Sequence, residues 1–147
     1  MKWIGEHIVK TDAVLGWHGD ADIIKILPRD FLGNEDHASG FVKFDDTGTL
    51  GVGVTNANTE LNAFVPIPFG KKATHIDIYA DSALAITVYR GNLTNGGVSA
   101  RGTGNANTTL DIDADIEWGE NYYLGVKVTT TATSDLVYGG KVTIADA

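Results

Sequence analysis

Cysteine is absent, which removes disulfides, thiolate metal sites and a cysteine nucleophile at once. Proline occurs three times and methionine once. Basic residues are scarce: 11 Lys and Arg stand against 19 Asp and Glu, a net charge of −8. That balance speaks against nucleic acid, whose phosphates need clustered cations. It speaks equally against an anionic membrane surface. No apolar run approaches the roughly 20 residues of a bilayer-spanning helix, so no membrane insertion is expected. The opening MKWIGEHIVK mixes charge into its apolar residues and lacks a small-residue cleavage site, so it does not read as a signal peptide. Catalytic motifs are missing too. Ser39, Ser82, Ser99 and Ser134 all lie outside any G-x-S-x-G elbow. Gly96-Gly97 and Gly102/Gly104 lack the spacing and following helix of a phosphate-binding loop. His7, His18, His37 and His75 form no H-x-x-x-H pair, and His18 with Asp20 and Asp22 is a ligand cluster without a closing member. No cofactor is expected.

What remains is rich in glycine, with 18 in 147 residues, and visibly rich in Thr and Asn. That mix suits short strands joined by many turns. The length is one domain's worth of chain and closes a single core without staples.

The clearest pattern is Thr74–Gly91. Ile76, Ile78 and Ala80 alternate with polar neighbours, and so do Leu84, Ile86 and Val88. Two period-2 runs split by Asp81-Ser82-Ala83 predict a β-hairpin with one buried face. A lone hairpin is not stable in water, so that face needs a second layer. Further strands are expected at Ile23–Leu27, ended by Pro28, and at Phe41–Phe44. Leu50, Val52 and Val54 alternate with Gly51 and Gly53, and those glycines imply a close neighbour on that face. Leu61, Ala63, Val65 and Ile67 form another alternating run, with Pro66 and Pro68 placing its end at a sheet edge. Leu110, Ile112, Ala114 and Ile116 alternate with Asp111, Asp113 and Asp115. Tyr123–Thr130 and Leu136–Ile144 complete the set. Arg29–Ser39 reads as a polar loop with at most a helical turn, and Gly91–Gly104 as a long loop with a short strand at Val98–Arg101. No helix longer than a turn or two is expected. The fold class is therefore all-β: an antiparallel β-sandwich, jelly-roll-like, spanning residues 17–147, with residues 1–16 as an N-terminal arm or first strand.

Three features offer chemistry. The stretch Thr55–Leu61 is echoed by Gly104–Leu110. One reading is a single turn solution used twice, because Asn caps its own backbone and tolerates left-handed φ. The other is a pair of binding loops, which makes Asn56, Asn58, Asn105 and Asn107 glycan-contact candidates. Asp111, Asp113 and Asp115 are weak Ca²⁺ candidates, since three carboxylates on one strand face supply oxygen ligands but are spread along its length. A solvated outer face is the competing reading. Trp3, Trp17, Trp118, Tyr122 and Tyr123 offer flat rings for a sugar platform, or filling for a core or subunit seam.

Trp17-His18-Gly19 followed by Ile24–Phe31 (IKILPRDF), together with Phe64–Pro68, Gly70–Thr74, Gly102–Thr109 and Val128–Gly140, resembles virion structural proteins of tailed marine bacteriophages. The likeness runs from about Trp17 onward. It implies a non-catalytic particle component, a tail-fibre or capsid-decoration protein located in the virion. Its partners would be copies of itself, with a trimer favoured, other virion proteins and a host surface glycan. Trp3, Ile4, Ile8 and Val9 are then interface candidates on a docking arm. The rival expectations are a carbohydrate-binding β-sandwich module and, last, a small glycosidase or lyase.

Overall fold

The computed structural model describes residues 22–34 and 42–147. Trp3, Ile4, Ile8, Val9, Trp17 and His18, and with them the expected arm, lie outside the described residues. The described residues form eleven strands: β1 (Ile23–Ile26), β2 (Leu32–Gly33), β3 (Val42–Asp45), β4 (Gly51–Val54), β5 (Glu60–Val65), β6 (Lys71–Ala80), β7 (Ala85–Asn92), β8 (Val98–Asn105), β9 (Leu110–Glu117), β10 (Tyr122–Thr129) and β11 (Val137–Asp146). A single 3₁₀ turn, Pro28–Asp30, follows β1. The fold is an antiparallel β-sandwich. One sheet runs β3-β4-β11-β6-β9, with β1 added beside β11, and the other runs β2-β5-β10-β7-β8.

Period-2 alternation explains the core. Ile76, Ile78, Leu61, Ile86, Val88, Leu124, Val126 and Val128 are 0–1% exposed and meet between the sheets. Fully burying each such side chain stabilises the fold by roughly 1.5–3 kcal/mol. Phe31 and Ile24, from the IKILPRDF stretch, are core residues too.

The predicted hairpin at Thr74–Gly91 is corrected. Its two strands are buried on the expected face, yet they do not pair: β6 lies between β11 and β9, while β7 lies between β10 and β8. The segment Asp81–Leu84 is an arch that carries the chain from one sheet to the other. Both alternating faces point into one core from opposite sides, and periodicity alone does not distinguish this from a hairpin. The short strand expected at Val98–Arg101 is present and runs on to Asn105, so the expected loop to Gly104 is shorter than read, with Val98–Asn105 pairing along β7 as an edge strand. Glycine-rich β8 lacks a strand-like composition, and its ladder with β7 supplies the order.

Two irregularities shape the rest. A bulge at Thr74 shifts the register of β6 against β11, so that Ala73 and then Ile76 face the core. On β9 the expected alternation breaks: Ala114 is exposed, and its carbonyl accepts a hydrogen bond from Arg101 Nη1 at 2.9 Å. The close neighbours expected at Gly51 and Gly53 are Leu136 and the Asp135 carbonyl.

Candidate functional site

One end of the sandwich carries the links following β5, β7 and β9, and the other carries the links that follow β4, β6, β8 and β10. This splits the glycan-contact candidates. Trp118 follows β9 at the first end. Asn56 and Asn58 precede β5, and Asn105 and Asn107 precede β9, at the second. The structure does not bring the four asparagines together with Trp118. The repeated Asn motif is one turn used twice, since Asn58 and Asn107 share a left-handed φ of 67°. Asn107 is occupied structurally: its side chain accepts from Ala80 N at 3.1 Å and donates to Ala80 O at 3.0 Å.

At the first end lies a cleft of about 520 Å³, within the range typical of small-ligand sites. Phe64, Pro66, Trp118, Glu120, Tyr122 and Tyr123 stand among its walls, with Leu93 on the rim. Trp118 is 43% exposed, and Phe69 beside it is 79% exposed. The two rings meet edge to face at 4.8 Å. Phe64 and Tyr123 form a second edge-to-face pair at 5.9 Å. Exposed apolar rings are ordinary singly, but grouped around a concavity they mark a contact site.

Backbone hydrogen bonds hold the cleft in shape. Trp118 N donates to Lys71 O at 2.9 Å, fixing the β9–β10 loop against the start of β6. Tyr122 N donates to Gly119 O at 3.1 Å, closing a tight turn. Leu93 N donates to Asn121 O at 2.8 Å and ties the β7–β8 turn to the same wall. Asn92 Oδ1 accepts from Thr94 N at 2.9 Å, which shapes that turn from within. Glycines make room for the rings. Tyr122 lies over Gly119, Tyr123 over Gly91, and Tyr89 over Gly125, so a Cβ at any of the three would run into the ring. The last two are reciprocal cross-strand Tyr–Gly pairs between β7 and β10. An aromatic ring shielding a cross-strand glycine recovers packing that the glycine lacks.

The outer face of the β5–β10–β7 sheet continues from the cleft but is occupied by its own contacts. Lys127 pairs with Glu60 at 2.9 Å, and Tyr89 donates to Asn62 Oδ1 at 3.2 Å. Burial raises the Tyr89 hydroxyl above its ordinary pKa, with the charges of Tyr123 and Glu60 adding to the shift.

The acidic strand does not converge. Asp115 pairs with Lys72 at 3.0 Å, and Asp111 stands 3.7 Å from His75. Among the described residues, no three His, Cys, Asp or Glu side chains gather at metal-holding distance.

Of the five aromatics expected to form a platform, Trp118, Tyr122 and Tyr123 come together at the cleft. Trp3 and Trp17 lie outside the described residues. Phe64, Phe69 and Leu93 were missed. Phe64 was legible as the aromatic on the outward phase of β5, whereas Phe69 and Leu93 sit in loops whose placement depends on the sheets.

No protein-family model matches this sequence, and no curated protein matches it. Solved structures do resemble it in fold. One is the CBM22-1–GH10 region of a Clostridium thermocellum xylanase 10B, solved with xylohexaose. It has 12% identity and a TM-score of 0.49, over 87% of this chain and 29% of that one. The chain thus spans less than a third of that xylanase structure. Another is a family 35 carbohydrate-binding module, also from Clostridium thermocellum, at 16% identity and a TM-score of 0.47, over 86% of this chain and 100% of that one. A third is the CBM36-1 domain of a multidomain xylanase from the hindgut metagenome of Trinervitermes trinervoides, at 12% identity and 0.47, over 85% and 98%.

The virion expectation is corrected: the structures named are carbohydrate-binding modules, one of them joined to a GH10 module, and not phage particle proteins. The physical reason is plain in the fold. The most distinctive part of the phage-like stretch, Ile24–Phe31, supplies a strand, a 3₁₀ turn and a core phenylalanine. Such a pattern reports on packing in a sandwich and not on a place in a particle. At these identities and scores the likeness speaks to fold alone, and the functional reading rests on the chain's own cleft.

Proposed function

We propose that the protein is a non-catalytic carbohydrate-binding module whose ligand lies in the aromatic cleft at the β9–β10 end. The observation that carries this reading is the gathering of Trp118, Tyr122 and Phe64, all exposed, around one concavity, with exposed Phe69 packed edge to face on Trp118. Flat rings pack against the apolar faces of sugars, while polar groups at the rim meet their hydroxyls. Among the described residues, Glu120 is the one carboxylate in the cleft lining. Glycoside hydrolysis ordinarily uses a carboxylate pair, so a single acid favours binding over cleavage.

A screen of soluble oligosaccharides by calorimetry, run on the wild type and on Trp118→Ala, tests the reading. Binding of at least one glycan, abolished or sharply weakened in Trp118→Ala at unchanged melting temperature, supports it. Equal binding by both proteins, or no glycan bound at millimolar concentration, ends it.

A further inference from the structure

We propose that Arg90 is an anion receptor beside the cleft and that the ligand is an acidic glycan, carrying a carboxylate or a sulfate ester. This rests on the carbohydrate-binding reading and names the ligand class for the same end of the sandwich.

The strand β7 runs Ile86, Val88, Arg90 in one phase, and Ile86 and Val88 are core residues. Arg90 thus occupies the next inward-facing position, at the rim where the sheets part. Its register partners are Leu124 on β10, which is fully buried, and Ser99 on β8. A guanidinium in core phase is costly to desolvate and ordinarily comes with a carboxylate partner. Among the described residues none is supplied. The described residues form ion pairs on Lys71, Lys72 and Lys127, with His75 3.7 Å from Asp111, and none of these contacts includes Arg90. The described residues themselves hold more Asp and Glu than Lys and Arg, so among them that is a selective vacancy.

What Arg90 does touch is Tyr122, with its guanidinium carbon 4.0 Å from the ring centroid. Stacking of this kind holds the plane of the fork while leaving its N–H edge available. The same Tyr122 ring lines the aromatic cleft. On the Arg90 side is a smaller hollow of about 170 Å³, lined by Arg90, Asn92, Asn95, Gly97, Val98 and Ser99. Asn92 and Asn95 spend their side-chain oxygens on turn bonds to Thr94 and Gly97, which leaves their amide N–H groups as donors. The hollow is therefore donor-rich, next to a cation with no carboxylate, and separated from the sugar cleft by one ring. An anionic substituent on a glycan seated against Tyr122 would reach it, and Arg matches planar oxyanions through paired N–H bonds.

The test compares ligands that differ only in charge. Calorimetry would use tetragalacturonate against its methyl ester, and a sulfated galactan tetrasaccharide against its desulfated form. The wild type is expected to prefer at least one anionic member by about tenfold over its neutral counterpart, with the preference narrowing at high salt. Which pair shows the preference separates carboxylate from sulfate. Arg90→Gln should erase the preference, while Arg90→Lys should retain part of it. Equal affinity for charged and neutral members in the wild type overturns the Arg90 assignment and spares the glycan reading. An unchanged preference in Arg90→Gln does the same. No binding of any member, neutral or charged, overturns both.

Discussion

Asn107 stands in for a β9 partner at the end of β6, where Ala80 pairs with Val137 of β11 on one side and the β6–β9 ladder has already ended at Ile76 on the other. Its carboxamide pairs with both Ala80 N, at 3.1 Å, and Ala80 O, at 3.0 Å, while its own N–H donates to Ile78 O at 2.7 Å. The arch between the two sheets is thereby pinned by one side chain held at a φ of 67°.

The first prediction concerns that pin. Asn107→Gly keeps access to the left-handed backbone and loses the side-chain bonds, for a cost of roughly 1–2 kcal/mol. Asn107→Ala loses the bonds and adds backbone strain, so its cost is higher by about 1 kcal/mol. Urea denaturation of the two variants measures both. Equal midpoints for Asn107→Ala and the wild type would show that the arch is held by other contacts.

A second prediction separates two kinds of glycine. A Cβ at Gly140 would meet the Asp77 carbonyl, backbone that the β6–β11 ladder holds in place. The nearest atoms that a Cβ at Gly91 would meet are the outer end of the Tyr123 ring, which can swing aside. Gly140→Ala should therefore cost roughly 2–4 kcal/mol, and Gly91→Ala clearly less. Thermal unfolding of the pair in parallel decides the order, and a larger loss in Gly91→Ala would contradict it.

The third prediction assigns binding to one end. Phe69 is 79% exposed, so Phe69→Ala should leave stability within about 0.5 kcal/mol of the wild type. It removes one ring of the Phe69–Trp118 pair and should weaken glycan affinity by about tenfold. Asn58→Gly and Asn105→Ala, at the opposite end, should leave affinity unchanged. Affinity lost in the asparagine variants and kept in Phe69→Ala would move the site to the other end.

A fourth prediction follows from ionisation. The Tyr89 pKa is raised in the folded protein, first by burial. The folded state therefore holds this proton more tightly than the unfolded chain does. Its contribution is complete below the ordinary tyrosine value of about 10 and is lost as pH climbs through the higher folded value. On the acid side, Lys71 lowers the Asp146 pKa by a hydrogen bond of 2.7 Å. That contribution is present above the ordinary carboxylate value and fades as pH falls through the depressed one. Tyr89→Phe should flatten the alkaline limb of a stability–pH curve. In a carboxyl NMR titration, Lys71→Ala should return Asp146 toward its ordinary value. A Tyr89→Phe curve that parallels the wild type above pH 10 would place the alkaline loss elsewhere.

Much of the fold is legible in particular residues. The alternation of Ile76, Ile78, Ile86 and Val88 identifies their buried face, and Pro28 marks the end of β1. The Asn58 and Asn107 turns are legible from their shared motif, because few residues adopt left-handed φ as readily as Asn. Arg90 was equally open to reading, as the charge that interrupts an apolar phase. It went unremarked because nothing local shows that the phase points inward at that depth.

Local chemistry by itself determined the all-β class, the buried faces and the turn residues. Each depends on backbone preferences and on a two-residue period that neighbours in the chain express directly. Tertiary structure decided that Ile76–Ala80 and Leu84–Val88 belong to different sheets, since an arch and a hairpin share one pattern. It also decided that Trp118 sits with Phe64, Phe69 and Tyr122 and far from the asparagine turns. Strand polarity sets that outcome: loops gather at one end only after each strand has taken its direction and its sheet, and that direction is fixed by pairings between residues distant in the chain.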